Sequence, residues 1–347
     1  MLQKRNPLTF ITTMGRFIMS RLGQAFALFA ACLSATAAQS SGEVPWPLQT
    51  YKSTSIQAPF FNVTKMGQTE PGFLFFTSED AIRGDGHPVI YSDDGQLAWQ
   101  GANGNYSALQ PQMLDGEPVI AYWTGYSGKG FGFGHISILN SSYEEIHRVT
   151  LDCKSQNFVT VFDPMTFDSC IDIHESQFTD NGTILVTAVN VTQADLSAVG
   201  GPQDGWIQDG LIYEIDIKTN EILFRWSAHK HIDQVPLSDV RAPLEGSGAK
   251  KTDPYGYAHL NAIYKYGDDY LVSSRYMCSV FFIASNGTVL WHLHVSLSIP
   301  NCPHNAIYNI VLIRVNRAEP AVTLHWALAP ASATSMTCAS SRRVPGA

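Results

Sequence analysis

The chain has 347 residues, of which 45% are hydrophobic, 11% aromatic and only 15% charged, with 27 Gly, 18 Pro and a formal net charge of −8. That length holds a large core, and so little charge beside so many aromatic residues excludes a disordered chain. No run of lysine or arginine offers a footprint for a phosphate backbone, so nucleic acid is not an expected partner.

In chain order, residues 1–38 read as a signal peptide. Lys4, Arg5, Arg16 and Arg21 precede a short apolar stretch, Ala25 to Leu33, and small residues follow to Ala38, with Ala35, Thr36 and Ala37 in a cleavage-site pattern. The apolar stretch falls short of the ~20 residues of a membrane helix, so no span is expected in the mature chain. Six Asn-x-Ser/Thr sequons follow, at Asn62, Asn105, Asn140, Asn181, Asn190 and Asn286. A secreted, glycosylated protein is therefore expected. Beyond Cys32 in the signal, Cys153, Cys170, Cys278, Cys302 and Cys338 make an odd set whose pairing the sequence leaves open. The lack of a C-x-x-C pair argues against a zinc site.

From Gly72 onward the chain repeats itself. HESQFTDNGTILVTA (His174 to Ala188) and GLIYEIDIKTNEILFRWSA (Gly210 to Ala228) form one unit; HLNAIYKYGDDYLVSSR (His259 to Arg275) and CSVFFIASNGTVLWHLH (Cys278 to His294) form the next. Each offers four alternating apolar runs, turns such as Asn181-Gly182 and Gly267-Asp268, and a Trp in the last run. That is the pattern of a four-stranded propeller blade. Pro111 to Asp152 fits the same template more loosely, and Gly72 to Gly101 fits part of it. An all-β propeller over residues 45–294, with about four recognisable blades, is expected; a β-sandwich with regular turns is the alternative. After His294 the pattern stops. Residues 295–347 hold one candidate strand, Ile307 to Val315, and an Ala/Ser/Thr-rich stretch, so a poorly ordered tail is expected there.

Innermost blade strands line a propeller's channel, which draws attention to the residues that open each unit: Asp172, His174 and Glu175 in one, Tyr257, His259 and Asn261 in the next. Arg275 ends a second strand and reaches toward the same rim. Histidine with arginine suits an anion such as a sulfate ester. His292 and His294 stand two apart as metal ligands can, but with no third ligand evident they read as an outer strand, and His229 and His231 read as part of a polar loop. Asp204 and Asp209 around Trp206 fit either a calcium site or a loop over the channel mouth. No metal and no cofactor is expected, and no G-x-S-x-G, P-loop or paired-carboxylate motif marks a hydrolase.

From Tyr51 to His294 the sequence resembles secreted fungal proteins carrying an arylsulfotransferase domain and, more distantly, bacterial arylsulfate sulfotransferases. The resemblance rests on SDDGQLAWQG (Ser92 to Gly101), DIHESQFTDNGTILVTA (Asp172 to Ala188), GGPQDGWIQDGLIYEID (Gly200 to Asp216), YAHLNAI (Tyr257 to Ile263) and LVSSRYM (Leu271 to Met277). It implies a six-bladed propeller that moves a sulfuryl group from a phenolic sulfate ester to a phenol through a sulfohistidine, without a nucleotide donor. His259 matches the channel histidine of the His-x-Asn element and Arg275 the arginine of the Ser-Ser-Arg element, while His174 matches a motif of the fungal group. In the family, blades bearing the sulfuryl-carrying histidine follow the Trp-His-Leu-His stretch; here they are replaced from Val295 on, so impaired transfer is expected. A non-catalytic secreted glycoprotein propeller that binds a ligand or partner is the alternative function.

Overall fold

The computed structural model describes residues 47–80 and 85–294. The expected signal peptide, and the expected tail with its candidate strand, lie outside the described residues. The chain divides into two compact units, residues 1–60 and 61–347. In the first, β1 (Leu48–Gln49) pairs antiparallel with β2 (Ala58–Pro59).

The second unit is a succession of antiparallel meanders. The first sheet has three strands, β3 (Phe73–Asp80), β4 (Asp85–Ser92) and β5 (Leu97–Gln100). The second has β6 (Tyr106–Leu114), β7 (Glu117–Gly128), β8 (Phe131–Leu139) and β9 (Glu145–Val149) in chain order. The third runs β10 (Ser176–Phe178), β11 (Thr183–Ala194), β12 (Gly205–Asp216) and β13 (Ile222–Ser227), with β14 (Tyr255–Gly256) added parallel to β12. The fourth runs β15 (Leu260–Tyr266), β16 (Asp269–Ser274), β17 (Ser279–Ile283) and β18 (Val289–His294). These meanders are the blades of a β-propeller, and the repeats legible in the sequence coincide with them. Short hairpins enforce the order: Gly182, at φ +73°, turns β10 into β11 in a conformation that a residue with a Cβ resists.

Burial explains the strand sequences. β7 alternates, placing Val119, Ala121 and Trp123 inward. β8 and β11 are covered on both faces and so read as nearly continuous apolar runs. One core, including Trp123, Ile136, Ile184, Val186 and Tyr213, fills the space between the second and third sheets. Another, including Ile212, Trp226, Ile263, Val272 and Phe281, fills the space between the third and fourth. Neighbouring sheets are also pinned by outer-strand tryptophans. Trp99 of β5 stacks on Tyr143 in the β8–β9 hairpin at 5.0 Å between centroids, and buried Trp226 of β13 donates its indole N–H to the carbonyl of Gly287 at 3.0 Å.

A charged bracket joins the third and fourth sheets. The Glu214 carboxylate of β12 accepts from Lys265 Nζ at 2.6 and 2.7 Å, from Tyr270 Oη at 2.6 Å and from Thr183 Oγ1 at 2.7 Å. Between β9 and β10, Cys153 and Cys170 form a disulfide under a cap of Phe131, Phe133, Phe158, Phe162 and Phe167. Among the described residues no helix is long and apolar enough to cross a membrane.

Candidate functional site

The residues singled out in the sequence converge where strands begin and end. His174 stands just before β10, His259 just before β15 and Arg275 just after β16. The backbone N–H of Arg275 donates to the carbonyl of His259 at 2.7 Å, extending the β15–β16 ladder by one rung and setting the two side chains on neighbouring strand ends. Across the sheet boundary, Nε2 of His174 and Nε2 of His259 meet at 3.1 Å, with ring centroids 4.7 Å apart and planes at 80°.

Asp172 anchors this pair. Its Oδ2 bonds Nδ1 of His174 and also accepts from Thr187 Oγ1 at 3.2 Å, while its Oδ1 accepts from the backbone N–H of Gly132 at 2.7 Å. Burial pushes its carboxyl up, but the charge and hydrogen bond of His174, the Gly132 N–H and the charge of His259 outweigh that and hold it below the usual carboxylate range. His259 is 2% exposed, and burial first, then His174 and Arg275, push it well below the ordinary histidine value against the pull of Asp172. Nδ1 of His259 and Nε of Arg275 are both buried, and neither has a hydrogen-bond partner among the described residues. Orphaned buried polar atoms of this kind are rare in folded proteins.

Aromatic walls enclose His259: Phe131 lies at 4.5 Å between centroids and Tyr276 at 4.9 Å. Tyr276 and Arg275 also line a cleft of about 310 Å³ with Lys129, Gln208, Thr252 and Pro254. Tyr276 thus touches both the cleft and the buried imidazole. Lys129 donates to the carbonyl of Thr252 at 3.0 Å, and Lys251 pairs with Asp163, so the loop before β14 is strapped to the β7–β8 turn and to the loop that the disulfide closes.

His174, His259 and Arg275 are therefore brought together. Glu175 takes a different part: its carboxylate accepts from the N–H groups of Ser176 at 2.9 Å and Ile263 at 3.3 Å, and burial pushes it up to about 7. It ties β10 to β15. Asp209 is likewise internal, accepting from Ser227 Oγ at 2.6 Å and from the N–H of His229 at 2.9 Å; with Trp206 it lies inside strand β12 and not in the loop expected over the channel mouth. His231 stacks on Trp226. Among the described residues no group of three or more His, Cys, Asp or Glu is placed to hold a metal.

Sequence reasoning noted Asp172 without its role, and missed Phe131, Gly132 and Tyr276. The signal for the first two was the Phe131-Gly132-Phe133-Gly134 run. A Cβ on Gly132 would stand 2.2 Å from Cγ2 of Ile173, so only glycine lets its N–H approach Asp172.

A profile of the arylsulfotransferase (ASST) family matches residues 110–296, and that span contains Asp172, His174, His259 and Arg275. The chain belongs to the arylsulfotransferase family. A solved structure, that of the Dos1 propeller, is similar at 9% identity with a TM-score of 0.35, covering 65% of this chain and 46% of that one. This chain thus spans a little under half the length of that protein. No curated protein matches.

Proposed function

We propose that the site binds phenolic sulfate esters and transfers their sulfuryl group to a phenol. The observation that carries this reading is the pair of orphaned buried atoms, Arg275 Nε and His259 Nδ1, on cross-paired strand ends beside a cleft. A planar guanidinium fits two oxygens of a sulfonate, and Tyr276 and Pro254 offer apolar surface to the aryl ring. The family resemblance adds the sulfohistidine route. Both histidines of the site are bound into the chain that begins at Asp172, and His259 is closed in by Phe131 and Tyr276, so transfer at this pair runs directly from ester to phenol and departs from that route. Slow turnover by this chain follows, with binding retained. Export is part of the same reading, supported by the basic, apolar and Ala-rich order of residues 1–38.

Calorimetric titration with para-nitrophenyl sulfate tests the reading. Saturable binding that Arg275→Ala weakens by roughly 10- to 150-fold is expected, with little release of nitrophenol when phenol is added. Absence of binding to the intact chain would overturn it, and binding of the ester unchanged by Arg275→Ala would move the site elsewhere.

A further inference from the structure

Resting on that reading of the site, we propose that Asp172, His174 and His259 form a proton relay whose open end, Nδ1 of His259, takes the proton of the acceptor phenol.

The polarity of the chain follows from which groups are able only to accept. An ionised carboxylate has no proton to give, and Asp172 is a carboxylate receiving bonds from Gly132, Thr187 and His174. Nδ1 of His174 must then carry its hydrogen. The relay takes His174 as neutral at rest and cationic once loaded: at rest its Nε2 bears a lone pair, and across the 3.1 Å contact His259 donates from its own Nε2. A neutral imidazole with hydrogen on Nε2 has its lone pair on Nδ1. That is the atom found buried without a partner. His259 consequently offers a base, and its one N–H is already engaged by His174.

The relay also resolves an electrostatic difficulty. A proton held on His259 itself would place a cation in a dry pocket near Arg275, which is costly. Passing the Nε2 hydrogen to His174 as Nδ1 accepts a new one moves the positive charge to the imidazole that Asp172 faces. The steps balance: the phenol O–H bond breaks, an Nδ1–H bond forms on His259, and the Nε2 hydrogen crosses to Nε2 of His174. The acceptor oxygen, freed of its proton, bonds to sulfur as the donor ester's S–O bond breaks, and the departing phenolate recovers the proton from Nδ1 of His259 by the reverse sequence, which returns both imidazoles to their starting tautomers. Phe131 and Tyr276 pack on the His259 ring at 4.5 and 4.9 Å between centroids, and Nδ1 is assigned here as the base. Tyr276, which touches both the cleft and His259, must turn aside for the phenol oxygen to reach it.

Nitrogen-15 NMR of the histidine-labelled full chain, at neutral pH and without substrate, decides the matter, with His259→Gln and His174→Gln providing assignments. The expected spectrum shows His259 protonated on Nε2 with Nδ1 in the unprotonated nitrogen range, and His174 protonated on Nδ1. Asp172→Asn should shift both rings toward the other tautomer. Protonation of His259 on Nδ1 in the native chain would overturn the relay, as would spectra unchanged by Asp172→Asn in a variant with native circular dichroism. If Asp172→Asn does not fold, the native spectrum decides alone. Failure of aryl sulfate binding would strike the proposed substrate and leave this readout standing, so the two claims fall separately.

Discussion

The imidazoles of His174 and His259 touch through their Nε2 atoms at 3.1 Å, although 85 residues separate them along the chain. The contact exists because each histidine stands just before the first strand of its own sheet, and successive sheets bring equivalent positions to one place. A repeat in sequence becomes a pair in space, and a pair of histidines with a carboxylate behind it is able to handle protons.

Arg275→Ala should weaken binding of para-nitrophenyl sulfate by roughly 10- to 150-fold, since a hydrogen bond to a charged group contributes about 1.5–3 kcal/mol. Titration calorimetry reads the change directly. Arg275→Lys should recover only part of it, because an ammonium lacks the flat two-pronged face of the guanidinium. Full recovery by lysine would show that charge alone is recognised.

His259→Ala or Asp172→Asn should reduce whatever sulfuryl transfer the chain performs by about 10²–10⁴-fold, the range typical of lost acid–base catalysis. Binding of the ester should change far less. Nitrophenol release at saturating ester, compared with the titration, separates the two effects.

Glu175 gives stability a defined pH dependence. Its carboxyl is pushed from 4.5 up to about 7 in the fold by burial, so the folded protein binds the extra proton between those values. The contribution is fully present below the unfolded value and is lost as pH rises through about 7. Glu175→Gln should flatten that slope in urea unfolding from pH 4.5 to pH 8. A variant with the native slope would remove Glu175 as its source.

The Glu214 bracket predicts the opposite direction. Burial raises this carboxyl, but bonds from Lys265, Tyr270 and Thr183 outweigh it and hold it below the usual range, so its contribution is present at neutral pH and is lost on acidification. Lys265→Met strands the carboxylate and should cost about 3–5 kcal/mol, whereas Glu214→Gln combined with Lys265→Met should cost less than the single change. Denaturant midpoints of the three proteins check this; equal costs would mean the pair is not coupled.

Export and glycosylation are expected to show in the purified chain as an N-terminus near Ala38 or Gln39 and a mass that falls on glycosidase treatment. Occupancy should differ among sequons. Asn62, Asn105, Asn181 and Asn286 are exposed, whereas Asn190 is half-buried in β11 with its side-chain Oδ1 accepting from the N–H of Val159 at 2.8 Å. Peptide mapping should find Asn190 least modified. A heavily occupied Asn190 would require that bond to break before folding is complete.

Much of this molecule was legible before any coordinates. Alternation, Asp/Asn-Gly turns and recurring Trp residues placed the strands of the second, third and fourth sheets, because each is governed by local rules: period-two burial, positive φ at a turn, an apolar outer strand. His174, His259 and Arg275 stood out because two repeats carried polar residues at equivalent openings. Asp172 as the partner of His174 was not legible, since a carboxylate beside a histidine in sequence states nothing about which oxygen meets which nitrogen. Tyr276 and Phe131 looked like ordinary core residues and acquire meaning only from their distance to His259. The pairing of Cys153 with Cys170 was equally hidden among the several pairings that five cysteines permit.

The tryptophan contacts impose an order in time. Trp226 completes its burial only when the carbonyl of Gly287, 61 residues later, is in place, and Trp99 waits in the same way for Tyr143. At a synthesis rate of ~5–20 residues per second, a ribosome needs roughly 3–12 s to supply the partner of Trp226. During that interval the third sheet has strands but no closing latch, and its outer edge is open to chaperones. The nascent chain is therefore most vulnerable one sheet behind the point of synthesis, and pauses of translation just before Gly287 would lengthen that exposure more than pauses anywhere inside the third sheet.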